Sequence, residues 1–392
     1  MELRDSTWRP VKFIGASHAE KRMSSVQPIS TIPIQKIKAG PLPDRFARGW
    51  HCLGLAEKYK DGKAHSIQAF GTKLVAFKGE DGNVSILDGY CPHMGADLSL
   101  GCVEGNTVTC AFHHWKWGSD GVCKEIPYAR RVPPKARLKS WPVVEQNRLL
   151  FVWNDPEGNP PDPTVAIPRI AACFSDKWTD WKIEEWSIST NVRELVDNLA
   201  DMAHFGPVHG QKIDYFANVF DGHVGYQMAR GGHETLSDGE LVADDAYFGP
   251  AYHITRMCAN VGGNTLNSIL LNCHVPIDQN RFILRFGVIV EKNPALSDAE
   301  NDAIADNYIT LTQNAFHQDV EIWDSKTRVD NPVLCDGDGP IYQLREWYSQ
   351  FYTDAADVKI SPRKVFEWRR EVGAWSQRDD IPPEAVSELD KI

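Results

Sequence analysis

"CPHMGADLSLGCVEGNTVTCAFHHWKWG" (residues 91–118) carries two Cys–His pairs, Cys91-x-His93 and Cys110-x-x-His113, with 16 residues between His93 and Cys110. Two thiols and two imidazoles suit zinc or iron–sulfur. A zinc finger usually sets C-x-x-C before H-x-x-x-H, whereas here each pair mixes the two donor types. The runs on either side are short and β-like, so both pairs are expected in hairpin loops.

That layout is the one of a Rieske [2Fe–2S] centre, where two Cys hold one iron and two His the other. Cys91 and Cys110 then serve one iron, and His93 and His113 the second. Neutral imidazoles in place of two thiolates raise the reduction potential. The competing reading is a structural zinc site, which would be colourless. His114 breaks the spacing and is read as a surface or supporting residue. Trp115 and Trp117 are expected to pack over the loop. Cys102 and Cys123 do not follow the ligand motifs directly, as the bridging Cys of respiratory Rieske subunits do. Met94-Gly95-Ala96 and Ala111-Phe112 stand there instead, so both are expected to be ordinary buried thiols.

Composition narrows the partners. The 42 basic and 53 acidic residues give a net charge of −11, which disfavours nucleic acid and anionic membranes. No apolar run reaches the roughly 18 residues of a spanning helix; "FILRFGVIV" (282–290) is strand-sized and broken by Arg285. The start has no signal-like apolar core. Nine Cys without a small-scaffold pattern point to a reducing, cytoplasmic setting.

The chain reads as two parts between two ends. Residues 1–45 form an N-terminal arm expected to pack on the second part, irregular over 1–27, with Met23 a possible natural start. Residues 46–160 form an all-β part. Its hairpin "KLVAFKGEDGNVSIL" (73–87) turns at Asp81-Gly82, and "NRLLFVW" (147–153) is another strand. The five-proline stretch 154–168 is a linker. Residues 161–375 mix helices with a sizeable antiparallel sheet over 223–292, and 376–392 form a polar tail. "STNVRELVDNLADMAHF" (189–205) reads as one helix, with Asn191 and Glu194 as a cap pair. "LSDAENDAIADNYITLTQNAFHQDVEIWDSK" (296–326) is a long helix opened by Ser297 and Glu300. A third helical segment covers 342–355.

A second site is expected in this larger part. Asn198, Asp201 and His204 form a polar stripe three residues apart, and His209 follows. On an ideal helix His204 and His209 would diverge by about 140°. Gly206-Pro207 is expected to break the helix and return His209 to His204. Two His and one carboxylate make the facial triad of non-haem Fe(II), which leaves positions open for O2. Asp319 is the candidate carboxylate, because it shares an otherwise largely apolar helix stripe with Tyr308, Thr312, Phe316 and Trp323. Glu321, Asp324 and His317 lie off that stripe. The plain alternative is a structural or surface His pair and a solvated Asp.

"CPHMGADLSLG", "HWKWG", "DNLADMAHF" and "QDVEIW" resemble the oxygenase component of Rieske non-haem iron oxygenases over nearly the whole chain. Within that family, "RGWHCLG", "HWKWGSDGVCKEIPYARRVPP" and "DNPVLCDGDGPIYQLREWYSQFY" look like bacterial 3-ketosteroid 9α-hydroxylase. His114 and the Gly206-Pro207-Val208 filling depart from the family pattern. The resemblance implies an α+β chain: an all-β Rieske [2Fe–2S] domain and a catalytic domain whose curved antiparallel sheet is flanked by helices. It implies a [2Fe–2S] cluster, a mononuclear Fe(II), O2 as co-substrate, a steroid substrate and an NADH-dependent flavin/iron–sulfur reductase. It also implies a cytoplasmic, head-to-tail homotrimer, in which Asp201 would link a Rieske His of one subunit to His204 of the next. Gln227, Tyr252, Met257 and Asn272 on the sheet, with Phe316 and Trp323, would line the substrate pocket. A sterol desaturase or an O- or N-demethylase would use the same iron chemistry. A soluble Rieske electron carrier is the reading from another class.

Overall fold

A computed structural model describes residues 35–380, apart from 39, 234–236, 238, 262, 361 and 379. The expected irregular stretch 1–27 lies outside the described residues, as do 381–392 of the expected tail.

The N-terminal part holds eleven short strands: β1 (Gly49–Leu55), β2 (His65–Ala69), β3 (Thr72–Lys78), β4 (Val84–Asp88), β5 (Cys102–Glu104), β6 (Thr107–Thr109), β7 (Lys116–Gly118), β8 (Cys123–Glu125), β9 (Ser140–Trp141), β10 (Val143–Gln146) and β11 (Leu149–Asn154). They form three small sheets, ordered β1-β11-β10, β2-β3-β4-β9 and β5-β6-β7-β8. The β3–β4 hairpin turns at Asp81-Gly82, where Gly82 takes φ +84° and the Asp81 carboxylate accepts from the Asn83 N–H at 3.0 Å. Both Cys–His loops border β5–β8 and sit on a core of Val75, Phe77, Leu98, Val108 and Trp117.

The second part is built on one nine-stranded antiparallel sheet. Its strands are β12 (Lys182–Ile188), β13 (Gln211–Asp221), β14 (Val224–His233), β15 (Glu240–Phe248), β16 (Tyr252–Val261), β17 (Asn264–Asp278), β18 (Arg281–Val290), β19 (Lys364–Arg369) and β20 (Ala374–Arg378). β13 to β18 run as a meander; β12 joins it beside β18, and β19 and β20 join beside β13. Both faces are covered. Tyr252, Ile254, Leu271 and Cys273 pack against Trp50, Cys52, Phe151 and Trp153 of β1 and β11. Met257, Leu270 and Phe286, on the other face, pack against a long helix.

That helix is α3 (Asp298–Ser325), and the Ser297/Glu300 capping box is formed at its start. Ala305, Tyr308, Ile309, Thr312, Asp319, Val320 and Trp323 are its inward stripe. The segment 189–205 is not one helix. It holds a short turn, α1 (Arg193–Val196), with a single 3-10 turn after it, an irregular stretch at Ala200–Met202, and then α2 (Phe205–His209). Gly206 and Pro207 therefore do not break a helix. They lie in the first turn of α2, where proline's missing N–H costs nothing. The Asn191 carboxamide oxygen does accept from the Arg193 N–H, at 3.2 Å, but Glu194 does not complete a cap. It pairs with Lys326 at 2.7 Å and Arg328 at 2.9 Å instead. The third helix is α4 (Ile341–Ser349), closed by a 3-10 turn at Gln350–Tyr352. β19 and β20 were not foreseen, and β20 takes the sheet through Arg378, into the start of the expected tail. Cys123 is buried as expected, but Cys102 is exposed at the start of β5. Among the described residues, no helix is long and apolar enough to cross a membrane.

The Glu194 ion pairs tie α1 to the end of α3, so they set the two halves of the second site against each other. Glu194 is 1 % exposed. Burial alone would raise its pKa, but Lys326 and Arg328 outweigh that and hold it below its usual value of 4.5. Glu194→Ala is expected to destabilise by about 1 to 2 kcal/mol, less than a fully stranded buried pair, because Arg328 keeps Asp197 and Asp330 at 3.4 Å and Lys326 is partly exposed. The same contribution is present above the unfolded-state pKa and is lost as pH falls through the folded one. Urea unfolding of both proteins at pH 7 and below pH 4.5 checks this. Equal stability at pH 7 would show that the pairs contribute nothing.

Candidate metal centres and the cavity beside them

The two loops of the first site repeat one backbone plan. The Cys91 carbonyl accepts from the Gly95 N–H at 2.8 Å, and the Cys91 N–H donates to Ala96 at 2.8 Å. The Cys110 carbonyl accepts from His114 at 3.0 Å, and the Cys110 N–H donates to Trp115 at 2.9 Å. The fourth residue after each Cys is left-handed: Gly95 at φ +75° and His114 at φ +58°. His114 thus stands where glycine is at ease, and its side chain is exposed, away from the donors.

Cys91 and Cys110 lie inside, and His93 and His113 lie outward with ring centroids 4.7 Å apart. Trp115 stacks on His93 at 4.5 Å, and its indole N–H donates to Tyr128 at 2.7 Å. Trp117 is fully buried beneath. Burial pushes the Cys91 thiol up to about 11, and the neighbouring Cys110 adds to the rise. A pair of buried thiols at one place calls for a cation to hold them as thiolates. Among the described residues, the one set of three or more donors close enough to share a single ion lies elsewhere. The two thiols pair inside and the two rings pair outside, which fits one iron for each pair.

That single-ion set is His204, His209 and Asp319, whose ligand atoms all lie within 4.8 Å of one another. His204 is the residue just before α2 and His209 is its last residue, so one short turn returns the second ring to the first. The rings stand 5.1 Å apart at 79°. Asp319 faces them from α3, its Oδ2 3.2 Å from His209 Nε2. Each ring has its Nδ1 engaged elsewhere. The Asp201 backbone oxygen meets Nδ1 of His204, and Gln318 Oε1 lies 3.4 Å from that of His209. This leaves Nε2 of both for a metal. Burial lowers the His204 pKa, whereas at His209 the hydrogen bond and charge of Asp319 outweigh burial and raise it. Two imidazoles and one carboxylate fit Fe(II) with open positions.

A cavity opens against this set. Gln227, Met257, Asn272 and Phe316 line it, with Asn198, His204, His209 and Asp319. Two expected pocket residues do not. Tyr252 points to the opposite face of the sheet, where its hydroxyl accepts from Asn147 Nδ2 at 2.9 Å in the seam with β1 and β11. Strand alternation decides this, since His253, Thr255 and Met257 take the cavity face. Trp323 lies behind Phe316, edge-on at 5.6 Å, in a core with Ile188, Val192 and Phe282. Asp201 keeps a half-exposed carboxylate, 3.8 Å from His204 Nδ1. Sequence reasoning missed Gln318, Asp245, His253 and Thr255. The last two could have been found from Met257, which they precede by four and two residues on one strand.

Residues 152–352 match the family described as 3-Ketosteroid 9alpha-hydroxylase C-terminal domain, and residues 49–142 match the Rieske [2Fe-2S] domain. A 3-ketosteroid-9-alpha-monooxygenase oxygenase component of Rhodococcus rhodochrous is 48% identical over 357 residues, covering 87% of this chain and 90% of its own. Its counterpart in Mycobacterium tuberculosis is 48% identical over 347 residues, covering 86% and 90%. Dicamba monooxygenase bound to 3,6-dichlorosalicylic acid shares the fold at TM-score 0.66 and 19% identity, covering 80% of this chain and all of its own.

Proposed function

This chain belongs to the 3-ketosteroid 9α-hydroxylase family of Rieske oxygenase components, and from that premise we propose that it hydroxylates a 3-ketosteroid at C9. It is a monooxygenase component carrying a Rieske [2Fe–2S] domain. Cys91, Cys110, His93 and His113 would hold the cluster; His204, His209 and Asp319 would hold the mononuclear iron. The observation that carries the reading is the second set, three neutral or anionic donors gathered on the wall of a cavity.

His204, His209 and Asp319 would hold an iron that would supply O2 activation for C–H oxidation, chemistry the side chains alone cannot do. The chain's own residues do the rest. Asp319 supplies the only anionic donor of the set. Asp201 and Gln318 hold the two rings by Nδ1 and so fix which nitrogen faces the metal. Phe316 and Met257 give an apolar wall that keeps water off the reacting carbon. Gln227 and Asn272 supply polar anchors. An NADH-dependent flavin/iron–sulfur reductase would supply electrons, in a cytoplasmic, head-to-tail homotrimer. There the half-exposed Asp201 carboxylate would meet a Rieske His of the neighbouring subunit, with Asn198 beside it.

The test is turnover with a reductase and NADH on a panel of steroids and small aromatics, read by mass spectrometry. A steroid gaining one oxygen, located at C9 by NMR, is expected. A new double bond or released formaldehyde would replace hydroxylation with desaturation or demethylation. No O2 use with any substrate would favour the electron-carrier reading.

A further inference from the structure

The cavity holds a polar cluster that metal binding does not use. Strand register sets Gln227 of β14, Asp245 of β15 and Thr255 of β16 abreast. His253 and Asn272 line the same cavity. Asp245 is 6 % exposed, beside the apolar Leu241, Ala243 and Met257. A carboxylate there is costly unless donors meet it. Gln227 Nε2 donates to its Oδ2 at 2.9 Å, and the Thr255 hydroxyl donates to its Oδ1. His253 Nε2 stands 3.4 Å from that same Oδ1.

The direction of these bonds matters more than their number. A carboxylate only accepts. Gln227 must therefore turn its NH2 group to Asp245 and its carbonyl away. Thr255 gives its one proton to Asp245, so its oxygen can only accept. It does so from Asn272 Nδ2, at 3.5 Å. Reversing either amide would set oxygen against oxygen. The Asn272 carbonyl oxygen is consequently left buried and without a partner. One anion thus turns the carbonyl oxygens of two amides away from itself and leaves that of Asn272 an unmet acceptor.

We propose that Asp245, through Gln227, Thr255 and Asn272, selects a substrate that brings a hydroxyl to this end of the cavity and disfavours a ketone there. A hydroxyl supplies the missing donor. A ketone adds another acceptor oxygen to a cluster already rich in them, and leaves Asn272 unpaired. This rests on the steroid reading above for the size of the ligand, but not for the chemistry of the cluster.

The experiment is equilibrium binding by calorimetry to the full-length, metallated protein. The ligands are androst-4-ene-3,17-dione, 17β-hydroxyandrost-4-en-3-one and 3β-hydroxyandrost-4-en-17-one. One of the two alcohols is expected to bind about tenfold tighter than the dione, or more. Asp245→Asn is nearly isosteric and returns donors to the cluster, so that preference should vanish. Thr255→Val, which frees Asn272 without touching a charge, should shrink it as well. A purely structural Asp245 would weaken all three ligands together and leave the ratio unchanged. The proposal fails if the dione binds as tightly as both alcohols, or if the ratio survives Asp245→Asn. Should no steroid bind, the steroid reading falls separately. The same contrast is then run with trans-2-decalol and trans-2-decalone, under the same criteria.

Discussion

Asp319→Ala is expected to give a red-brown protein that keeps the two irons of its cluster and lacks the third. The site loses its one anionic donor and is left with two neutral rings. Loss of a mere hydrogen-bond partner of a metal ligand costs roughly 10–100-fold in affinity or activity. Loss of the ligand itself should exceed that, and product should fall below detection. The fold should survive, since the substitution removes a carboxylate from the cavity wall and not a filler of the apolar core. Iron analysis, the visible spectrum and turnover together separate the outcomes. Full iron with full activity would mean that another carboxylate serves. Glu321 is the next to test, although it is exposed on the far side of α3. Loss of colour as well would mean that the two sites are not independent.

Two inactive chains are expected to restore each other when co-expressed. Cys91→Ser removes the cluster, and His204→Ala removes the mononuclear iron. In the trimer we propose, a cluster works with the iron of the neighbouring chain. Some junctions of a mixed trimer would then pair an intact cluster with an intact iron, and product should reappear although each parent is dead. Asp201→Asn in every chain should leave both metal sites filled yet slow product formation severely, because it removes the anion that would meet the neighbour's Rieske His while the Asp201 backbone oxygen still holds His204 Nδ1. Verified mixed trimers that stay inactive would place electron flow within one chain and remove the role given to Asp201.

Much of this was legible because the chemistry is local in sequence. The Cys–His loops declare themselves by spacing, and each closes on its own backbone within six residues. The capping box of α3 and its apolar stripe are likewise short-range patterns, and they carried Asp319 with them. What was not legible depends on distant partners. Nothing within 189–205 says that Glu194 will turn to Lys326 and Arg328, at the far end of α3. Tyr252 and Met257 are both large and apolar, and with both faces of the sheet buried, hydropathy cannot say which one meets the cavity. β19 and β20 are short strands that pair only because β13 offers an open edge. Asp245 stands next to Asp244 in a strand with no motif around it; only register against Gln227 and Thr255 gives it a purpose.

The strand order also bears on how the protein is made. His204 and His209 lie before the β13–β18 meander, and Asp319 lies after it. The two rings leave the ribosome long before their carboxylate does, and they meet it only once six strands have paired. The cluster loops depend on near neighbours and can close early, as low-separation contacts do. The cluster ligands are therefore all in the chain before the set for the catalytic iron is complete. A chain that stops short of α3 would hold the cluster ligands and both rings but lack Asp319.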